Sequence, residues 1–120
     1  MSAQELAVPP FQTVCKLADL VPMSGIAVLS QNEQVAIFYL PDSEEQVFAI
    51  GNFDPIGGAN VLSRGIVGDV GGTWSVASPL YKQHFCLTTG ICLEQPEHSV
   101  PVYSVKVDGQ CVCLSVVPLE

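Results

Sequence analysis

Two dipeptides constrain this chain more than anything else in it: Gly71-Gly72 and Asp108-Gly109, each set between runs of strand-forming residues. A two-residue connection between antiparallel strands needs positive φ at its centre, which glycine adopts without steric cost. Each pair therefore predicts a tight hairpin, one joining strands over 66–70 and 73–77, the other joining strands over 102–107 and 110–116. In 102–107, Tyr103, Val105 and Val107 fall on one face and Ser104 and Lys106 on the other, the period-two alternation of a strand. The rest of the chain is punctuated in the same way. A first strand is expected over 11–16 and a connection over 17–24, with Pro22 near its middle. A hairpin over 25–29 and 34–40 turns around Ser30-Gln31-Asn32-Glu33, and a short strand over 46–50 follows the polar turn 41–45. No segment carries a helical stripe longer than two turns. The class is all-β, a small sandwich or barrel of short antiparallel strands, and 120 residues suffice for one such domain.

Charge narrows the partners. Twelve acidic residues against four basic ones leave a formal charge of -8, and the cations Lys16, Arg64, Lys82 and Lys106 are scattered. Nucleic acid and anionic membrane surfaces both require clustered Lys and Arg, so neither is an expected partner. The acidity is read as a means of solubility, with a basic docking face on another protein as the functional alternative. Apolar runs such as 35–40 are strand-length and too short to span a bilayer. Residues 1–10 carry Glu5 and no Lys or Arg, unlike a signal peptide, and are expected to form a flexible arm on a cytoplasmic protein.

Five cysteines, Cys15, Cys86, Cys92, Cys111 and Cys113, make an odd count, which fits free and mostly buried thiols better than a disulfide framework. The Cys86–Cys92 spacing matches no common zinc pair, and His84 and His98 add none. There is no Gly-x-Ser-x-Gly elbow, phosphate loop or HExxH motif, so an independent catalytic domain is not expected.

Two segments stand apart from this regularity. One is Ile50-Gly51-Asn52-Phe53-Asp54-Pro55, followed by a glycine-containing stretch to Ser63-Arg64-Gly65. The other is Ala77-Ser78-Pro79-Leu80-Tyr81-Lys82-Gln83-His84-Phe85-Cys86, running on to Thr89-Gly90. Their layout resembles the two cluster-binding loops of Rieske ferredoxins, Cys-x-His in the first and Cys-x-x-His in the second. A Rieske centre takes two thiolates on one iron and two imidazoles on the other. The matching positions here are Asn52, Asp54, Ser78 and Tyr81, none of which is a thiolate or an imidazole. Phrases such as Val-Leu-Ser-Arg-Gly-Ile-Val-Gly and Ser-Pro-Leu-Tyr-Lys-Gln-His-Phe, with the ending Val-Pro-Val-Tyr-Ser-Val-Lys-Val-Asp-Gly, resemble the small subunits of cytoplasmic NADH-dependent nitrite reductases. The likeness runs from Phe11 to Leu114.

That resemblance implies a Rieske-like antiparallel β sandwich over 11–117, with a short tail over 118–120 and the two loops side by side at one end. It implies a non-catalytic subunit without a cofactor of its own. The partner would be a large subunit carrying FAD, a 4Fe–4S cluster and sirohaem, which reduces nitrite to ammonium in nitrate assimilation. The alternative is a Rieske-type 2Fe–2S ferredoxin delivering electrons to an oxygenase, and a free-standing binding module is a third reading. The candidate partner-binding residues are the loop tips: Phe53, Pro55, Pro79, Leu80, Tyr81 and Lys82. Each has a plainer role open to it. Asn52 and Asp54 suit turns, Pro55 fixes one, and Phe53, Leu80 and Tyr81 could fill the space a cluster would occupy. Trp74 belongs on a core-facing hairpin strand.

Overall fold

The computed structural model describes residues 11–119. Its strands are β1 (Phe11–Lys16), β2 (Ser24–Ser30), β3 (Glu33–Tyr39), β4 (Val47–Gly51), β5 (Phe53–Asp54), β6 (Ala59–Asn60), β7 (Ile66–Val70), β8 (Thr73–Ala77), β9 (His84–Cys86), β10 (Val102–Asp108) and β11 (Cys111–Leu119). The only helical elements among these residues are two single 3-10 turns, Leu17–Asp19 and Leu62–Arg64. A six-stranded sheet has the order β1-β11-β10-β4-β3-β2, a three-stranded sheet the order β7-β8-β9, and β5 and β6 form a small ribbon. All pairings are antiparallel. The expected all-β Rieske-like architecture is the one observed.

The turns follow their residues closely. Gly71 and Gly72 both have positive φ and join Val70 to Thr73, as expected. The β2–β3 hairpin closes through Gln31 and Asn32, which adopt φ of 52° and 67°. The last hairpin differs by one residue from its expected place. Asp108 pairs with Cys111, so the loop is Gly109-Gln110 rather than Asp108-Gly109. Only Gly109 needs positive φ there, the pattern of a turn with glycine first, and Asp108 is left to extend the strand. β4 begins at Val47 because Gln46, at φ 67°, is still part of the turn. The boundary expected at 117 falls inside β11, where Leu119 pairs with Val102 and Pro118 with Tyr103. The arm expected over 1–10 and residue 120 lie outside the described residues.

β3 and β4 are buried on both faces, and their alternation feeds two cores. Ala36, Phe38, Phe48 and Ile50 face the three-stranded sheet, where they pack with Leu62, Val76, Phe85 and Leu87. Trp74 packs against this core from the β7–β8 hairpin. Val35, Ile37, Val47 and Ala49 face the other way, onto Tyr103, Val112 and Leu114. That second core draws only on the six-stranded sheet and the turn holding Leu17 and Leu20, so the sheet curls around its own apolar face. Right-handed twist and the bulges in β1–β11 and β10–β11 favour that curl. The segments that follow β4 and β8 meet where Ser78 bonds Asp54.

Candidate functional site

Loop one (52–65) leaves β4 at Asn52, and loop two (78–83) leaves β8 at Ser78. Burial sorts their residues into two sets. Asn52, Asp54 and Ser78 are almost wholly buried. Phe53, Leu80 and Tyr81 are 50%, 43% and 65% exposed, and Pro79 and Lys82 are exposed as well.

Asp54 is the hub of the inward set. Its Oδ1 accepts the backbone N–H groups of Ile56 (2.8 Å) and Gly57 (3.0 Å), which shapes the tip of loop one. Its Oδ2 accepts the Ser78 hydroxyl at 2.5 Å, across 24 residues of sequence. Ser78 in turn accepts the Leu80 N–H at its Oγ (3.3 Å) and the Lys82 N–H at its carbonyl (2.9 Å). One carboxyl therefore ties both loops together. A carboxyl removed from water is stable only where its oxygens find donors, and both Asp54 oxygens do.

Asn52 performs the matching task toward the body of the domain. Its Nδ2 donates to Gln34 Oε1 (2.9 Å) and its Oδ1 accepts the Ser63 N–H (2.7 Å). Its backbone N–H donates to the Gln34 carbonyl, and its carbonyl accepts from Leu62. Loop one is thus fastened to β3 and to the turn at Leu62–Arg64. No buried side-chain polar atom among the described residues lacks a partner.

The outward set is shaped by close backbone approach. A Cβ at Gly57 would lie 2.3 Å from Leu80 Cδ1, so glycine is what lets loop two rest its Leu80 on loop one. Tyr81 projects beyond that contact, and Lys82 takes φ 61° to bring the chain back toward β9. His84 fastens the exit of loop two. Its N–H and Nδ1 meet the two carboxyl oxygens of Glu94 at 2.8 and 2.6 Å. Burial pushes Glu94 up, but the bonds from the His84 backbone and ring outweigh it and hold the carboxyl below the usual glutamate value.

The family model for the Rieske-like [2Fe-2S] domain matches residues 10–115. The nitrite reductase (NADH) small subunit of Salmonella typhimurium is 48% identical over 100 residues, which are 82% of this chain and 92% of that protein. The chain belongs to this family of Rieske-like nitrite reductase small subunits. Among solved structures of the family's fold, the Escherichia coli protein NirD superposes with a TM-score of 0.81 at 42% identity, over 89% of this chain and 96% of that one. A nitrite reductase [NAD(P)H] large subunit from Klebsiella oxytoca contains a stretch 41% identical to this chain; the match spans 83% of this chain and 10% of that much longer one.

The 2Fe–2S group for which the domain family is described does not fit the residues present. The four positions that resemble ligand positions hold an amide, a carboxyl, an alcohol and a phenol. Asp54 and Ser78 are committed to each other and to backbone, Asn52 to Gln34 and the Ser63 N–H, and Tyr81 points out to solvent. The five cysteines are free and stand elsewhere, Cys86, Cys92 and Cys113 buried and Cys15 and Cys111 half-buried. No three His, Cys, Asp or Glu side chains among the described residues converge as a metal site.

Of the expected site residues, the structure brings Asn52, Asp54 and Ser78 into the loop bases and leaves Phe53, Leu80 and Tyr81 at the tips, with Pro55 half-buried beside them. The Asp54–Ser78 bond joins the loop bases, Leu80 rests on Gly57 of loop one, and Tyr81 is exposed. Sequence reading missed Gln34, Ser63 and Gly57. Gln34 and Ser63 act only through residues 18 and 11 positions away, and nothing local marks them.

Proposed function

We propose that this chain is the non-catalytic small subunit of a cytoplasmic NADH-dependent nitrite reductase, serving nitrite reduction to ammonium in nitrate assimilation. It holds no cluster of its own and docks on the large subunit, which carries FAD, a 4Fe–4S cluster and sirohaem. The observation that carries this reading is the pair of loops closed by Asp54 and Ser78, with Phe53, Leu80 and Tyr81 left exposed on a stiff support. A pre-ordered apolar tip loses little entropy on binding, and exposed aromatic side chains over such a tip suit an interface anchor. The Klebsiella large subunit, with a homologous stretch inside its own chain, supports an association with that partner. Free cysteines suit a reducing compartment. The ferredoxin alternative requires thiolate and imidazole ligands that the loops lack.

The test is co-purification of the full chain with the sirohaem-containing large subunit, together with a visible spectrum of the isolated chain. A stable complex and a colourless small subunit are expected. A Rieske-type paramagnetic signal in the isolated chain would overturn the reading, as would failure of the wild-type chains to associate.

A further inference from the structure

Beside loop one lies a second feature, which shares Phe53 and Pro55 with the docking tips. A cleft of about 250 Å³ opens between loop one, the start of β3 and the segment 99–101. Its walls are Phe53, Pro55, Pro101 and Tyr103, with Asn60 and Glu33 contributing the polar groups that matter here. The Gly51 N–H bonds the Pro101 carbonyl at 2.8 Å, which fixes one wall against the end of β4. Asn52 and Gln34, also in the lining, are already bonded to each other.

Glu33 is exposed, and among the described residues it has no ion-pair partner. It faces Tyr103: burial first, and then the negative charge of Glu33, push the Tyr103 phenol above its usual value. An unpaired carboxylate beside aromatic and proline surfaces is complementary to a long basic side chain. The stem of such a chain packs on apolar walls while its head pairs with the carboxylate, and a guanidinium also stacks on aromatic rings.

We propose that this cleft receives an arginine or lysine side chain of the large nitrite reductase subunit, with Glu33 as its counter-ion. This rests on the docking reading above and adds to it the chemistry of the partner's surface: a basic residue set beside the patch that covers Phe53, Leu80 and Tyr81. Phe53 belongs to both features, so the cleft and the tip form one continuous face. The chain's charge of -8 favours a basic partner surface in general, and the cleft assigns one cation a place.

The experiment measures affinity of the full chain for the large subunit at low and high salt, for wild type, E33Q, E33R and E44R. Wild-type binding tests the docking reading, and the variants test the cleft. Glu44 lies in the turn before β4, at the opposite end of that strand from loop one, roughly 17 Å away at the usual rise per residue. E33Q is expected to weaken binding about tenfold at low salt and E33R by more, with the difference shrinking at high salt while E44R binds like wild type. Thermal unfolding of the isolated E33Q chain should match wild type, because Glu33 is exposed. Unchanged affinity for E33R overturns the proposal, and so does an equal loss for E44R, which would mean a diffuse charge effect.

Discussion

Loop one leaves β4 of the six-stranded sheet and loop two leaves β8 of the three-stranded sheet; they meet at Asp54 and Ser78, yet they are built on opposite plans. Loop one turns Asn52 and Asp54 inward and bonds both side chains: Asn52 to Gln34 and Ser63, Asp54 to two amides and Ser78. Loop two has one buried anchor, Ser78, at its entry and the His84–Glu94 pair at its exit, and 79–82 between them are exposed. The lesson is a division of labour. Loop one is the support, and loop two, resting on Gly57 through Leu80, is what the support displays. In the cluster-bearing proteins that this layout resembles, metal ligation joins the two loops. Here a single buried carboxyl makes that link.

The largest effect should come from removing that carboxyl. Asp54→Ala leaves the Ser78 hydroxyl and the Ile56 and Gly57 amides without their acceptor, and should cost about 3 kcal/mol or more in chemical denaturation. Ser78→Ala in the Asp54→Ala background should add far less than it does alone, since one bond cannot be lost twice. Additive losses would break the claim that the two residues act as a unit.

Asn52→Ala comes next, at about 2 kcal/mol, because two of its bonds run to side chain and backbone in other elements. It should loosen loop one while sparing the contact between the loops, a difference that hydrogen exchange at Ser63 compared with Leu80 would register.

Replacing loop-two residues should reverse the pattern. Tyr81→Asp should change stability by no more than ~0.5 kcal/mol, since Tyr81 is exposed. The Leu80→Asp and Tyr81→Asp pair should weaken association with the large subunit by about 2 kcal/mol, roughly thirtyfold. Loss of stability without loss of binding would mean that these side chains serve the fold, and would dissolve the distinction between support and display.

The smallest effect concerns the exit of loop two. Glu94 has a lowered folded-state pKa, so its contribution is present above its unfolded value and is lost as pH falls through the folded one. Glu94→Gln should therefore flatten the acid limb of a stability-against-pH curve below the ordinary glutamate range. A wild-type curve of the same shape would show that the pair does not hold loop two.

Much of the fold is legible because it is local. The Gly71-Gly72 hairpin lies where its glycines put it, and Tyr103, Val105 and Val107 share a buried face because a strand has a period of two. Where reading by pattern slipped, at Asp108-Gly109, two turn types could both use the glycine, and pairing along β10 and β11 chose between them.

Sequence by itself determined the class of fold, the places of the two loops, and the absence of thiolate and imidazole from the positions that resemble ligands. The class of fold follows from short-range backbone preference, while the two loops and their ligand-like positions are read from the resemblance to Rieske proteins. Tertiary structure decided which loop residues point inward. Asn52, Phe53 and Asp54 are consecutive, and no periodicity tells which of them will be buried. The answer depends on Gln34, Ser63 and Ser78, brought up by other strands, because a buried polar side chain is stable only where distant partners complete its hydrogen bonds.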